Sequence, residues 1–150
     1  MAEVIDSLSE ALLKQLEEES FVLLSTVDAE SGGPTTNAIS WVYAVDNKTL
    51  RFAIDQRSRL IANLEQNPKV TISIFSVGSL HAVYGTSEII AAPLAEVPIK
   101  LACMEVKVDT VRDAMFYGAR ISVMPAYEKT YDKRAADKLD GQVFAAMRKA

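Results

Sequence analysis

The sequence predicts a mainly β protein, an antiparallel barrel of six strands or more with peripheral helices. Short β-rich segments recur along the chain, separated by segments rich in Gly, Pro, Asn and Asp, as in small β-barrels. A short segment of helical period follows the third of these strands. The length of 150 residues, with 49% hydrophobic and 24% charged residues, fits one globular domain over residues 1–150.

The N-terminal segment is predicted to form a helix. Apolar residues recur at steps of three and four from Ile5 to Leu16, which places them on one helical face. Ser7 and Glu10 have the spacing of a capping box, in which each side chain accepts a hydrogen bond from the other residue's amide. The acids at 17–19 are unfavourable at a helix C-terminus, so the helix is expected to fray there.

Three strands are predicted next, at residues 21–27, 35–45 and 49–54, forming an antiparallel meander. The sequence DAESGGP provides the first turn, and an Asp-Asn dipeptide provides the second. Ser58 can then cap a short helix. Asn67–Pro68 ends this helix, because the residue before a proline disfavours helical geometry.

The second half of the chain is predicted to add strands and two more helices. The strands are expected at residues 69–75, 79–90, 104–111 and 119–124. A helix is expected over 93–104, because it would begin with a proline at an early position. The last helix follows a possible cap at Asp132, and its apolar residues recur on one face.

Composition argues against several classes of function. Sixteen Lys and Arg against 20 Asp and Glu give a net charge of −4, so a nucleic-acid partner is not expected. One cysteine and one histidine argue against a disulfide framework and a Cys- or His-based metal site. The first residues do not resemble a secretory signal, and no apolar run is long enough to span a membrane. A cytoplasmic protein without a membrane partner is therefore expected.

The clearest candidate site is basic. Four cations stand near the end of the third strand and the start of the Ser58 helix: Lys48, Arg51, Arg57 and Arg59. A helix N-terminus offers free amides and the positive end of the helix dipole, and arginine adds paired donors, so these residues could bind a phosphate or another anion. The alternative is a solvated strand edge that offsets the acidic N-terminal segment. No nucleotide-binding loop, nucleophile elbow or metalloprotease helix is present.

Four further residues are weighed as packing residues or as members of a site. His81 is a packed or solvent-facing residue, or a catalyst in a cavity. Cys103 stands in an apolar stretch, which favours a buried, inert thiol. Trp41 and Tyr43 alternate on one strand and therefore share a face. They pack in a core or a dimer, or they form one wall of a site for a planar ligand.

Taken together, these segments resemble the pyridoxamine 5′-phosphate oxidase-like family of FMN-binding split barrels. The similarity begins with the order of an N-terminal helix and FVLLSTVDAESGGPTTNAISWVYAVDNKTLRFAID. It continues with SRLIANLEQNPKVTISIF, which is similar to the family's Ser-Arg-Lys, Asn-Leu and Asn-Pro-x-Val segment, and with HAVYGTSEII. The similarity covers roughly residues 8–91, and residues 108–139 resemble small stress-related members.

The resemblance implies a homodimer that binds FMN in a groove at the subunit interface. It implies that Ser58 and Arg59 bind the FMN phosphate. It also implies that the flavin is lined by a run of consecutive residues and by two residues of the neighbouring strand. The lining residues are Thr36, Asn37, Ala38, Ile39, Ser40, Trp41, Ala53 and Ile54.

The sequence departs from the oxidases of this family in three places. Leu60 stands where they have a phosphate-binding lysine, which Arg57 or Arg51 could replace. Ala53 and Ile54 stand where they have a Tyr-Thr pair. Their C-terminal Arg-containing signature for the vitamin phosphate is not recognisable, so pyridoxamine phosphate oxidation is not expected.

Three functions remain open. The first is an FMN-dependent oxidoreductase with an unidentified substrate, in which the cofactor performs the redox chemistry. The second is a non-enzymatic module that binds FMN, F420, haem or another planar ligand for sensing, storage or stress response. The third is an interaction protein whose ligand groove has decayed.

Overall fold

Eight strands and three helices make up the regular structure in the computed structural model, which describes residues 4–150. The strands are β1 Val4–Ile5, β2 Val22–Val27, β3 Pro34–Ile39, β4 Val42–Asp46, β5 Thr49–Asp55, β6 Lys69–Ser76, β7 Ser79–Ala91 and β8 Leu101–Asp113. The helices are α1 Glu10–Gln15, α2 Arg59–Gln66 and α3 Lys133–Lys149.

The strands form one antiparallel sheet in the order β3-β2-β6-β7-β8-β5-β4, and β1 pairs with β8. The two end strands, β3 and β4, are joined only by Ser40 and Trp41. Because two residues span only about 7 Å, the ends of the sheet must meet, and the sheet curls into a barrel. Within residues 4–150, β3 and β4 do not pair with each other. The predicted class, a mainly β split barrel with peripheral helices, is confirmed.

The strand count and the meander differ from the prediction. The single strand expected over 35–45 is two strands, interrupted at Ser40 and Trp41, and β1 is an additional short strand. β3 pairs with β2, and β4 pairs with β5, so the first strands do not form a simple meander. Because of this interruption, one stretch of chain forms β3 at one end of the open sheet and β4 at the other.

β5 separates two hydrophobic cores. Its residues alternate between faces, so Leu50, Phe52 and Ile54 pack inside the barrel. Ala53 faces outwards into a second core, which it shares with α3 residues such as Val143 and Met147. α3 therefore covers the outer face of the sheet beside β4 and β5.

The N-terminal helix begins later than predicted. Val4 and Ile5 pair with Arg112 and Val111 of β8, which keeps this part of the chain extended. The cap is Ser9, whose Oγ accepts a hydrogen bond from the Leu12 amide at 3.3 Å. The predicted capping box is therefore wrong, and the rest of the apolar stripe, Leu8, Leu12 and Leu16, is buried.

The predicted helix over 93–104 and the predicted strand over 119–124 are also wrong. Residues 92–100 form turns and irregular chain that contain Pro93 and Pro98, and residues 119–124 have no regular structure. Leu101–Met104 begin β8, because β5 and β7 pair with them on both sides. The last helix is confirmed, with Asp132 accepting a hydrogen bond from the Ala135 amide. No helix within residues 4–150 combines the length and apolarity that a membrane span requires.

Candidate functional site

The start of α2 carries the strongest polar arrangement among the predicted site residues. Ser58 caps the helix as predicted, and its Oγ accepts a hydrogen bond from the Leu60 amide at 3.1 Å. Because the oxygen acts there as an acceptor, the hydroxyl proton remains able to be donated. The first turn of α2 contains no acidic residue. The local chemistry therefore favours a negatively charged partner.

Arg59 connects α2 to the turn between β2 and β3. Its guanidinium donates to Asp28 Oδ1 at 2.7 Å, and the Arg59 side chain is 73% exposed. The other Asp28 oxygen accepts hydrogen bonds from the Ser31 and Glu30 amides at 2.9 and 3.2 Å. These amide bonds, that of Ser31 above all, together with Arg59 hold the pKa of Asp28 below its ordinary value.

Asn63 fixes the same helix from its buried side. Its Nδ2 donates to Thr26 Oγ1 at 3.1 Å, and its Oδ1 accepts from the Ala29 amide at 2.9 Å. Asn63 and Asp28 are not among the site residues predicted from the sequence. The sequence does contain a feature that indicates Asn63, because it is a polar residue on the apolar face formed by Leu60 and Leu64. Such a residue needs a partner when it is buried.

Arg57 lies beside this arrangement. Its guanidinium makes two hydrogen bonds to the Asp55 carboxylate, at 3.2 and 3.1 Å, and its side chain is 90% exposed. The side-chain hydrogen bonds from Arg57 hold the pKa of Asp55 below its ordinary value. Arg57 and Arg59 therefore flank Ser58, and each is engaged by a carboxylate, Asp55 at 50% exposure and Asp28 at 16%.

Lys48 and Arg51 do not belong to this cluster, so the predicted group of four cations is wrong. Arg51 donates to Glu105 at 3.0 Å and to the Met147 carbonyl at 2.7 Å. It faces α3 because it alternates with inward-facing Phe52. Lys48 lies in the β4–β5 turn, 3.5 Å from Asp6.

The flavin-lining residues expected on β3 are largely accessible. Thr36, Asn37 and Ala38 are exposed, and Ile39 is half-buried. Among the strands of residues 4–150, β3 pairs only with β2. Its other edge can therefore offer backbone donors and acceptors to a ligand or to another chain.

The remaining expected lining residues are covered by the chain itself. Trp41 is half-buried against α3, and its Nε1 donates to Asp140 Oδ1 at 2.8 Å. Tyr43 packs in the same core, so the two aromatic residues serve packing within this chain. Ala53 and Ile54 are 3% and 6% exposed. Ser40 donates to Glu19 Oε2 at 3.3 Å.

His81 and Cys103 lie away from α2. His81 Nε2 is 3.1 Å from the Ser76 carbonyl, which can only accept, so this nitrogen carries a proton. His81 lines a cavity of about 740 Å³ together with Asp113 and Phe116. Cys103 is buried as predicted, and burial raises the pKa of its thiol to about 11.

Comparison with known proteins agrees with this fold. A family model described as pyridoxamine 5′-phosphate oxidase matches residues 8–113. A search of curated proteins finds no match. The chain is similar to a solved structure from Lactobacillus delbrueckii, provisionally named a pyridoxamine 5′-phosphate oxidase, with 19% identity and a TM-score of 0.61, covering 71% of this chain and 94% of that one.

Two further solved structures have the same fold. An F420 reductase is 21% identical with a TM-score of 0.57, over 69% of this chain and 98% of that one. HupZ of group A Streptococcus is 20% identical with a TM-score of 0.57, over 72% of this chain and 94% of that one. These likenesses establish the barrel, and the match over residues 8–113 establishes the family. The chain belongs to the pyridoxamine 5′-phosphate oxidase family.

Proposed function

We propose that this protein binds FMN and acts as an FMN-dependent oxidoreductase on a substrate that is not yet identified. The observation that carries the proposal is the start of α2, where two exposed arginines flank the Ser58 hydroxyl and the first helical turn contains no acidic residue. This donor set fits a phosphate monoester. When bound, FMN would supply hydride or electron transfer, while the protein supplies position and electrostatics.

The roles proposed for the chain's own residues follow from their places. Ser58 would donate its hydroxyl proton to a phosphate oxygen, and Arg59 would exchange its Asp28 partner for the phosphate. Arg59 is 73% exposed and free to turn towards a ligand, and Asp28, which is 16% exposed, would keep its hydrogen bonds from the Ser31 and Glu30 amides. Arg57 is proposed as a second cation in place of the lysine that Leu60 replaces. The exposed edge of β3 from Thr36 to Ile39 would face the flavin through its backbone.

For Trp41, Ala53 and Ile54, we propose a contact with the cofactor that does not involve the buried parts of their side chains. Their side chains are covered by α3 or by the barrel interior, so only their backbone, or the surface around them, would meet the cofactor. Pyridoxamine phosphate oxidation is not part of the proposal, because the sequence lacks a recognisable C-terminal signature for the vitamin phosphate.

FMN is expected to bind about 10- to 150-fold more tightly than riboflavin. The reason is that one charge-assisted hydrogen bond at the phosphate contributes on the order of 1.5–3 kcal/mol. Titration of each flavin with the purified protein, followed by flavin fluorescence, measures both dissociation constants. Equal affinity for the two flavins would show that the phosphate is not recognised.

The proposed functional form is a homodimer with the cofactor at the subunit interface, as the family resemblance implies. Exposed apolar side chains in one place support a partner, since Val77 and Phe116 line the same cavity and are 79% and 72% exposed. Sedimentation at micromolar concentration is expected to give twice the chain mass of 16.4 kDa. A monomer under these conditions would contradict this part of the proposal.

A second candidate is a non-enzymatic module that holds FMN, F420, haem or another planar ligand. One observation favours it: the donors at α2 would recognise an anionic group but no particular ring. The absorption spectrum of the purified protein separates the candidates. A flavin spectrum bleached by a reduced nicotinamide supports the enzyme, and a bound chromophore that stays unreduced supports the module.

A further inference from the structure

We propose that the C-terminal extension, residues 114–150, positions the ligand-lining segment 36–41 through a polar clamp at the β3–β4 junction. The clamp consists of Glu19, Ser40, Trp41, Lys129 and Asp140. The extension lies beyond residues 8–113, where the family model matches. The part of this inference that concerns ligand binding rests on the proposed function.

The junction is the place where the barrel is open. Ser40 and Trp41 belong to neither neighbouring strand, and within residues 4–150 no ladder joins β3 to β4. The course of the chain at the end of β3 therefore depends on contacts other than sheet pairing between these two strands. Two of those contacts are made by the junction side chains themselves.

One cation connects the two carboxylates that accept hydrogen bonds from the junction side chains. Ser40 donates to Glu19 at 3.3 Å, and Trp41 donates to Asp140 at 2.8 Å. Lys129 bridges the two carboxylates, with its Nζ 3.0 Å from Glu19 and 3.3 Å from Asp140. A single residue of the extension thus connects the partners of two consecutive junction residues.

The charged side chains of the clamp are partly buried, so the electrostatic interactions between them are stronger than those of a surface ion pair. The side chains of Lys129, Glu19 and Asp140 are 24%, 20% and 17% exposed. Burial lowers the pKa of Lys129, but hydrogen bonds and charge from Glu19 and Asp140 outweigh it and raise the pKa above its ordinary value. Removal of this cation would leave two neighbouring carboxylates without their shared partner.

Apolar packing keeps the extension docked beside the clamp. Val143 and Met147 of α3 are completely buried in the core that contains Ala53 and, half-buried, Trp41. Asp140 stands one turn before Val143 and Phe144 on the same helix, so docking of α3 delivers its carboxylate to the indole. The packing of α3 therefore positions Asp140 within the clamp, and the clamp in turn fixes the side chains of Ser40 and Trp41.

The test compares Lys129→Met with Lys133→Met in the full chain. Lys133 is the matched control, because it borders the same cavity but is 85% exposed and forms its ion pair with Asp137 rather than with a clamp residue. In Lys129→Met, amide hydrogen exchange over residues 36–41 is expected to accelerate, and FMN binding to weaken, each on the order of tenfold. The fluorescence of Trp41, which is the sole tryptophan, is also expected to shift.

Lys129→Arg retains the charge and is expected to restore exchange, fluorescence and affinity towards the parent values. If Lys129→Met does not fold, Asp140→Asn provides the same comparison, since it keeps an oxygen acceptor for Trp41 but removes one charge that Lys129 bridges. Lys133→Met is expected to match the parent in every measurement.

Unchanged exchange over residues 36–41 in Lys129→Met would overturn the proposal. Faster exchange with unchanged FMN affinity would also overturn it, because the clamp would then be only structural. A parent protein that binds no FMN would refute the proposed function instead. In that case exchange and Trp41 fluorescence alone decide whether the extension positions the junction.

Discussion

Replacing Arg59 with Ala is expected to weaken FMN binding by roughly 10- to 150-fold, the effect of losing one charge-assisted hydrogen bond to the phosphate. Arg59 extends from the first turn of α2, where the helix amides already favour an anion. Leu60 cannot share this task. Riboflavin binding is expected to stay unchanged, because riboflavin has no phosphate. Fluorescence titration of both flavins with each variant measures the difference.

Two variants control this experiment. Arg59→Lys is expected to recover only part of the affinity, since lysine keeps the charge but cannot donate two hydrogen bonds in the fixed geometry of a guanidinium. Arg112→Ala removes a cation of β8 that contacts Tyr84, and it is expected to leave the titration unchanged. The Arg59→Ala variant is expected to lose little stability, because Arg59 is 73% exposed and Asp28 keeps its hydrogen bonds from the Ser31 and Glu30 amides. Parental FMN affinity in a folded Arg59→Ala variant would refute the placement of the phosphate.

Replacing Gly85 with Ala is expected to lower the free energy of unfolding by about 3 kcal/mol, at the upper end of typical overpacking effects. A Cβ atom at this position would lie 2.6 Å from the Lys107 carbonyl oxygen and 2.6 Å from Val106 Cγ1. Gly85 is buried where the register between β7 and β8 shifts, so the strands would have to separate. Urea denaturation measures the effect.

Gly141→Ala is the matched control for this substitution. Gly141 lies inside α3, and a Cβ atom there would meet no atom within 4 Å. Because alanine favours a helix by about 1 kcal/mol over glycine, this variant is expected to be more stable than the parent. If Gly85→Ala unfolded at the same urea concentration as the parent, β7 and β8 would not approach each other as closely as described.

The elements that the sequence predicts well are those with local signals. Ser58 and Asn67–Pro68 determine where α2 begins and ends by local hydrogen bonding and sterics, and both are read directly from the chain. The segment at Leu101–Met104 was mistaken for a helix because β8 is apolar on both faces there. A strand buried on both faces does not alternate, and a short apolar run fits helix and strand equally.

The candidate site also contains residues that local sequence features predict and residues that they do not. Ser58 and Arg59 were predicted because helix caps and adjacent cations are local features. Asp28, which pairs with Arg59, and Asp140, which pairs with Trp41, are distant in the sequence and are brought close only by the folded barrel. Similarly, Arg51 was grouped with Arg57 by proximity in the sequence. Because successive side chains of β5 point to opposite faces of the sheet, Arg51 contacts Glu105 and α3 instead.

The most direct measurement of the central claim compares backbone amide resonances of the protein bound to FMN with those of the protein bound to riboflavin. The two flavins differ only in the phosphate, so resonances that differ between the complexes report where the phosphate lies. These differences are expected to concentrate at Arg57, Ser58, Arg59 and the following turn of α2. Differences concentrated elsewhere, for example around His81 and Arg120 in the 740 Å³ cavity, would contradict it.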